Sequence, residues 1–217
     1  SMPLDVPAVL SLDRFATVQS SRGCPFSCVF CDIPAFHRRT WRPRSAARVV
    51  AELRHLQDAG YGSVYFVDDH FLLQPRRVEE ICSGIRERGV TLRWGCEGRV
   101  DSAGKRLLPL LARSGCRALM LGIESGCQKT LDRLGKRQTL AQVEEAVRAA
   151  MKVRRQKPMF LIDIAVPRDI DPAINDAYRI DPYPVVDDSL GVRCHHGIEG
   201  GDPVQVAGQA RNIPGLS

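Results

Sequence analysis

Apolar and polar residues alternate along the first 150 residues in an order that predicts strands and helices in turn. Short apolar or β-branched runs predict strands at residues 15–19, 63–67, 91–94 and 118–123. Apolar residues three or four positions apart predict helices from Ser45 to Gly60, from Pro75 to Gly89, over 107–111 and from Thr139 onward. The chain therefore repeats a strand–helix unit.

The spacing of the strands predicts their direction. Tyr65, Leu92 and Leu119, at the centres of three predicted strands, are separated by 27 residues each time, which is long enough for a crossover helix between parallel strands. An α/β fold is predicted, and this pattern fits either a doubly wound sheet or a partial barrel. Residues 159–166 are apolar enough to add a fifth parallel strand beside 118–123.

The character of the chain changes near residue 158. Residues 1–157 carry a net charge of +11, whereas residues 158–217 carry −5 and hold seven of the fourteen prolines. Two regions are predicted: a β/α core over 1–157 and a divergent segment over 158–217. The divergent segment could supply one strand, followed by a poorly ordered tail in which residues 182–184 and 200–203 mark turns or loose chain. The basic core is typical of a solvated surface or of a protein that attracts nucleic acid or an anionic cofactor.

The sequence also predicts the cellular compartment of the protein. No apolar run approaches the roughly 18 residues that a membrane span needs, and the first residues lack the features of a secretory signal. A cytoplasmic protein is predicted. Three of the eight cysteines lie within eight residues, which favours metal ligation in a reducing compartment over a disulfide scaffold.

The clustered cysteines, Cys24, Cys28 and Cys31, have C-x3-C-x2-C spacing on one loop. Three thiolates at this spacing can hold a [4Fe–4S] cluster and leave one iron open to another ligand. Zinc would need a distant fourth ligand, and unliganded thiols are the remaining alternative. The distant candidates for zinc are Cys194, His195 and His196.

The other thiols carry weaker signals. Free cysteine often behaves as a small buried hydrophobe, so core packing is favoured over an additional cluster. These residues are Cys82, Cys96, Cys116 and Cys127.

Polar groups follow each predicted strand, where the carboxyl ends of parallel strands gather functional residues. The groups are Arg22–Gly23–Cys24, Asp68 with Asp69, Glu97 with Arg99, and Glu124 with Ser125. Any one of them is typical of an ordinary loop. Four in phase with a cysteine motif favour a single site at this edge of the sheet.

These motifs resemble the radical S-adenosylmethionine (SAM) superfamily over residues 17–150. The resemblance rests on SRGCPFSCVFC at 21–31, FVDDHF at 66–71 and LGIESG at 121–126. The last two motifs are similar to those of a subgroup that often carries an N-terminal cobalamin-binding domain and often performs methylation or other alkyl chemistry.

The resemblance implies a partial (β/α)6 barrel of parallel strands, truncated here and followed by the irregular tail. It implies two cofactors, a [4Fe–4S] cluster and SAM, and one-electron cleavage of SAM to a 5′-deoxyadenosyl radical. It also implies a small-molecule substrate and an electron donor such as reduced flavodoxin or ferredoxin.

The resemblance also implies roles for individual residues. Cys24, Cys28 and Cys31 would hold the cluster, and Phe30 would lie by the adenine. Asp68 or Asp69 would meet the methionine amino group, which suits a carboxylate. Glu124 and Ser125 would contact the nucleoside. Arg99 would reach the methionine carboxylate, unless it pairs with Glu97 or Asp101 on the surface.

The chain departs from this family in two places. No cobalamin-binding domain precedes the first strand, so cobalamin dependence is not implied for this chain by itself. After Lys152 the family's fifth unit is replaced by residues 158–172, which resemble a short segment of glutamyl-tRNA reductase. A chimeric or truncated sequence would explain both this change and the reversal of charge.

The predicted function is a radical SAM enzyme, or a truncated piece of one, that acts in methyl or other group transfer. The alternatives are an inactive cluster-binding fragment and a zinc or nucleic-acid-binding module. The substrate is not encoded in any recognisable motif.

Overall fold

The computed structural model describes residues 14–153 in full and the backbone of residues 159–163 and 180–184. The helices are α1 (Ile33–His37), α2 (Ala46–Asp58), α3 (Pro75–Glu87), α4 (Leu107–Arg113), α5 (Gln128–Arg133) and α6 (Leu140–Val153). The strands are β1 (Phe15–Val18), β2 (Ser21–Arg22), β3 (Arg42–Pro43), β4 (Ser63–Phe66), β5 (Arg93–Arg99), β6 (Cys116–Gly122), β7 (Met159–Asp163) and β8 (Ile180–Pro184).

The described chain falls into two compact units. One comprises the described residues up to Pro25 together with Ile33–Met120, and the other comprises Phe26–Asp32 together with the described residues from Leu121 onward. No helix in the described ranges is long and apolar enough to cross a membrane.

Local sequence signals account for the helix starts. The Ser45 side chain accepts a hydrogen bond from the Arg48 amide at the start of α2, and Pro75 occupies the first turn of α3. At the start of α6, Gln142 Oε1 accepts from the Thr139 amide at 2.8 Å, while Thr139 Oγ1 accepts from the Gln142 amide at 3.3 Å. This reciprocal pair is a capping box, so the predicted helix starts are confirmed.

A four-stranded parallel sheet with strand order β1-β4-β5-β6 confirms the predicted α/β fold. Phe15 lies opposite Ser63, and Ser63 lies opposite Arg93. Because these strands run in parallel, the residues that follow β1, β4 and β5 lie at the same edge of the sheet. A separate pair of short antiparallel strands, β2 and β3, places Arg22 opposite Arg42.

The core lies on one face of this sheet. Phe66, Phe71 and Trp94 form an aromatic cluster with ring centroids 4.6–5.6 Å apart, and all three side chains are buried. Helices α2 and α3 contribute Val50, Leu53, Ile81 and Ile85 to the buried residues. The other face exposes Val67 and Met120, and there the Tyr65 hydroxyl donates to Glu97 Oε1 at 3.2 Å.

Strand β5 begins at Arg93, two residues later than predicted, and continues five residues past its predicted end at Trp94. Residues 96–99 are expected to follow the strand, but β5 continues to Arg99. Trp94 and Cys96 are two residues apart and both buried, so this face of the strand continues to pack into the core through a stretch that contains two glycines and charged residues.

The prediction that residues 159–166 pair beside 118–123 is wrong, as is the turn predicted at 182–184. Strand β7 instead pairs in parallel with β8, with Met159 opposite Ile180. Strand β8 tolerates two prolines because Pro182 and Pro184 are two residues apart, which places both missing amide donors on the same edge of the strand. The rest of the predicted irregular tail lies outside the described residues.

Candidate functional site

The segment before Cys24 is fixed by its backbone. Gly23 has a φ of +85°, and a Cβ there would lie 2.0 Å from the Thr40 carbonyl oxygen. Only glycine fits such a position. The Gly23 amide donates to Asp69 Oδ2 at 2.6 Å, so the residue next to Cys24 is tied to the end of β4.

Asp68 is the buried anchor of the same segment. Its side chain accepts from the Ser20 amide at 2.6 Å, from Ser20 Oγ at 2.6 Å and from Ser21 Oγ at 2.5 Å. The residue is 2% exposed. Val18 pairs with Phe66, so two further residues along each chain bring Ser20 beside Asp68. The two predicted carboxylates therefore differ, because Asp68 is enclosed whereas Asp69 is only half-buried.

Arg77 joins this network from α3. Its Nη2 donates to the Ser20 carbonyl at 2.8 Å and its Nε donates to the Arg44 carbonyl at 2.9 Å. The guanidinium carbon also lies 5.7 Å from the centroid of the Trp41 ring. Burial lowers the pKa of Arg77, and the negative charge of Asp68 opposes that shift. The segment that leads to Cys24 is thus held from both β4 and α3.

Arg99 is ion-paired. Its Nη2 lies 2.6 Å from Asp101 Oδ2, and its Nε donates to Asp101 Oδ1 at 3.0 Å. The residue is 6% exposed. Asp101 is one of the two partners that the sequence offers for Arg99 as alternatives to a cofactor carboxylate, but the pair is largely buried and does not lie on the surface as expected.

The second unit holds the other two motif cysteines. The Val29 amide donates to the Leu134 carbonyl at 3.0 Å, and the Cys31 amide donates to the Cys28 carbonyl at 3.2 Å. Residues 28–31 therefore form a tight turn that is bonded to the end of α5. Cys24, Cys28 and Cys31 are all half-buried, and none of the three forms a disulfide.

Glu124, Lys136 and Phe30 meet in the second unit. Lys136 Nζ lies 2.5 Å from Glu124 Oε1 and 5.7 Å from the centroid of the Phe30 ring. Glu124 has a φ of +74°, and a Cβ at Gly122 would lie 2.6 Å from its Oε1. Two residues that are 94 positions apart in the sequence, and that the resemblance assigns to the same ligand, thus converge on one lysine.

Ser125 closes the turn after β6. Its Oγ accepts from the Cys127 amide at 3.0 Å, and the residue is 2% exposed. Gln138 Nε2 donates to the Ile123 carbonyl at 2.7 Å, which fixes the backbone just before Glu124. The turn that carries Glu124 and Ser125 is held by side chains from both sides.

Sequence reasoning missed three of these residues, Arg77, Lys136 and Gln138. Arg77 occupies an inward position of an amphipathic helix, and the neighbouring positions 78, 81 and 85 are apolar. That position was the available signal for Arg77. Lys136 and Gln138 lie in a polar loop whose sequence gives no comparable signal.

The buried cysteines are less suited to binding a metal than the motif cysteines are. Thiolate is the form that binds metal. Burial raises the pKa of Cys82 to about 11 and also raises the pKa of Cys96, which favours the protonated form of both. Both are packed in the core as predicted, whereas Cys127 is exposed and Cys116 half-buried.

The three motif thiols fit a cluster better than these core thiols do. No three metal-binding side chains within the described ranges converge on a single-ion site. The assignment of Cys24, Cys28 and Cys31 as ligands thus remains a prediction from their spacing and chemistry. The alternative zinc ligands, Cys194, His195 and His196, lie outside the described residues.

The chain is similar in sequence to a protein named as a methyltransferase and to a methylase. The chain is 34% identical over 139 residues to an uncharacterized methyltransferase of Pyrococcus horikoshii, covering 64% of this chain and 30% of that protein. It is 30% identical over 142 residues to the hopanoid C-3 methylase of Methylococcus capsulatus, covering 64% of this chain and 27% of the methylase.

The chain is also similar to a solved structure. The cobalamin-dependent S-adenosylmethionine radical enzyme OxsB aligns with a TM-score of 0.57 at 26% identity, covering 64% of this chain and 22% of OxsB. The chain spans less than a third of the length of these relatives.

The family match covers most of the chain. The family described as the radical SAM superfamily matches residues 18–170, which include the cysteine motif and strands β4, β5 and β6 of the four-stranded sheet. Its cofactors are a [4Fe–4S] cluster and SAM. The chain belongs to the radical SAM superfamily.

Proposed function

We propose that this chain is the cluster- and SAM-binding core of a radical SAM enzyme that acts in methyl or other group transfer. The observation that carries the proposal is the C-x3-C-x2-C motif at the carboxyl end of β1, with Asp68 and Asp69 bonded to the residues that precede it. Cys24, Cys28 and Cys31 would hold the cluster. When bound, the cluster supplies one electron that cleaves SAM to methionine and a 5′-deoxyadenosyl radical.

The two aspartates have different roles in this proposal. Asp68 already accepts three hydrogen bonds and is enclosed, so its role is to hold Ser20 and Ser21 in place. Asp69 accepts one amide and is half-buried, which supports its assignment as the carboxylate that meets the ammonium. Arg99 would reach the methionine carboxylate only if its ion pair with Asp101 opened.

The second unit supplies the residues assigned to the nucleoside. Phe30 offers a ring face for the adenine, and Glu124 and Ser125 offer hydrogen-bonding groups. The ion pair with Lys136 holds the Glu124 carboxylate in one orientation. Lys136 is therefore proposed as a positioning residue for this end of SAM.

Release of 5′-deoxyadenosine tests the function. The chain, reconstituted anaerobically with iron and sulfide and reduced with dithionite, is expected to convert SAM to 5′-deoxyadenosine, which chromatography detects. A coloured, cluster-loaded protein that binds SAM but releases none would support the inactive fragment instead. A colourless protein that binds zinc stoichiometrically would support the zinc module.

A matched pair of variants tests the role of Lys136. Lys136→Met removes the ion pair and the charge beside Phe30, so we expect SAM affinity to fall by about tenfold, the effect of losing one charge-assisted contact of about 1.4 kcal/mol. Lys136→Arg keeps the charge and is expected to retain most of the affinity. Equilibrium dialysis with SAM is the measurement, and iron content should stay that of the parent in both variants.

The iron content and SAM affinity of the two variants together distinguish the possible roles of Lys136. If Lys136→Met lowered iron content and SAM affinity together, Lys136 would support the fold of the cysteine turn rather than orient Glu124. If neither quantity changed, the residue would have no part in SAM binding.

The names of the relatives support the class of reaction that we propose. Two of them are named methyltransferase or methylase, which supports group transfer as the outcome. OxsB is named as cobalamin-dependent, which supports cobalamin as an additional cofactor of the protein in which this core works. The family acts on small molecules and takes its electron from a reductant, and both partners are proposed here in that form.

A further inference from the structure

A basic surface lies beside the cysteine segment in the first unit. It consists of one exposed aromatic residue and four exposed arginines, here called the arginine surface: Phe36, Arg22, Arg38, Arg39 and Arg42. Phe36 is 80% exposed and is the one aromatic ring among the large exposed apolar side chains of the described chain. Exposed aromatic residues and arginines are both enriched at protein–protein interfaces.

No carboxylate among the described residues pairs with the charges of this surface. Five arginines and no acidic residue occur between Asp32 and Glu52. Elsewhere arginines pair with carboxylates, as Arg54 does with Asp58 and Arg148 with Glu144. Within the described residues, none of the four arginines of the arginine surface makes an ion pair.

Two local features hold these charges close together at a cost to the fold. Arg22 and Arg42 are direct partners across β2 and β3, where like charges are destabilising. Arg38 and Arg39 have φ values of 51° and 54°, which is unusual for two successive non-glycine residues. Such features are explained if an anionic partner binds the exposed side chains.

The arginine surface borders Cys24. Arg22 is two residues before Cys24. The backbone of Gly23 packs against residues 37–40, which include Arg38 and Arg39. A Cβ on Gly23 would lie 2.0 Å from the Thr40 carbonyl oxygen and 3.0 Å from His37 Cβ. A partner that covers this surface therefore comes close to the first predicted cluster ligand.

We infer that the arginine surface docks the acidic electron-donor protein that reduces the cluster. This inference rests on the proposed function. The acidic donor supplies one electron and is itself oxidised by one electron, while the cluster is reduced from its 2+ to its 1+ state, so no proton or further reactant is required. Opposite charges guide the encounter of the two proteins, and Phe36 gives the docked complex an apolar contact.

A protein partner is favoured over a nucleic acid by the composition of the surface. Sequence-independent binding of single strands uses several aromatic platforms along a basic groove. The arginine surface offers Phe36 as its one exposed ring. Its position beside a cluster ligand is required for electron delivery and has no part in binding a nucleic-acid backbone.

The test compares two electron sources on one reconstituted protein. Stopped-flow absorbance follows cluster reduction by a reduced flavodoxin, which is an acidic protein, and separately by dithionite. In the double variant Arg38→Glu/Arg39→Glu we expect the second-order rate constant with flavodoxin to fall at least about tenfold and to lose its dependence on salt. The rate with dithionite should remain that of the parent. Phe36→Ser should weaken flavodoxin binding, measured by calorimetry, with an unchanged rate for dithionite.

A control variant has the same change of charge elsewhere. Arg86→Glu/Arg88→Glu reverses two exposed charges at the end of α3 and should leave reduction by flavodoxin unchanged. Equal rates for flavodoxin with the parent and with Arg38→Glu/Arg39→Glu would overturn the inference, as would equal losses in both double variants. So would loss of binding to a single-stranded RNA oligonucleotide in Arg38→Glu/Arg39→Glu without any loss of flavodoxin-driven reduction.

The dithionite arm separates the two proposals. If dithionite reduces no cluster in the parent protein, the proposed function itself has failed. If dithionite reduces the cluster and the flavodoxin rate is insensitive to the arginine surface, only the docking inference has failed.

Discussion

Replacing any one of Cys24, Cys28 or Cys31 with alanine is expected to reduce retained iron to the background level after anaerobic reconstitution. A [4Fe–4S] cluster held by three thiolates has no spare ligand, and removing one leaves a second iron open to solvent. Iron and sulfide analysis of the desalted protein, with its visible absorbance, is the measurement. The same variants are expected to release no 5′-deoxyadenosine.

Two cysteines outside the motif supply the control. Cys82→Ala and Cys116→Ala should keep the iron content of the parent, because Cys82 is a buried thiol with a raised pKa and Cys116 lies on β6, away from the motif in the sequence. Cys82→Ala creates a small cavity and should cost about 1 kcal/mol of unfolding free energy without changing iron content. Iron loss from Cys116→Ala equal to that from Cys28→Ala would show that the ligand assignment is wrong.

The fold was largely predictable because its signals are local. The capping box at Thr139, the proline at the start of α3 and the apolar runs of β1, β4 and β6 each act within a few residues, and the repeat of 27 residues fixes the parallel arrangement. Strand β5 extends further than predicted because Cys96 and Arg99 are buried beyond the predicted end, in a stretch whose glycines and charged residues hide the pattern of a strand.

The pairing of β7 could not be predicted from its own residues. An apolar run indicates burial, yet which strand it pairs with depends on distant residues, and its partner β8 contains two prolines that favoured a turn. Long-range pairing of this kind leaves no local pattern in either segment.

The candidate site was predictable in its residue types but not in its contacts. The sequence offers Asp68 and Asp69 as equivalent carboxylates, and only the register of β1 with β4 distinguishes them, because it sets Asp68 beside Ser20. Lys136 illustrates the same limit. Its contact with Glu124 and Phe30 depends on a turn that brings together residues far apart in the chain.

A pair of alanine variants should separate the two aspartates. Asp68→Ala leaves the buried amide of Ser20 and the hydroxyls of Ser20 and Ser21 without their acceptor, and it removes the negative charge near Arg77. Unsatisfied buried donors of this kind lower the free energy of unfolding by about 2–4 kcal/mol. Urea-induced unfolding is the measurement, and iron retention should fall because the segment before Cys24 is released.

Asp69→Ala is expected to behave in the opposite way. It removes one hydrogen bond, to the Gly23 amide, from a half-buried position, which should cost about 1 kcal/mol of unfolding free energy. SAM affinity, measured by equilibrium dialysis on the cluster-loaded protein, should fall at least about tenfold, because the ammonium loses its carboxylate partner. Asp58→Ala, which removes an exposed carboxylate paired with Arg54, is the matched control and should change neither quantity appreciably. If Asp69→Ala bound SAM as tightly as the parent, Asp69 would not be the carboxylate that meets the ammonium. If Asp68→Ala proved as stable as the parent, the network around Ser20 would not hold the cysteine segment.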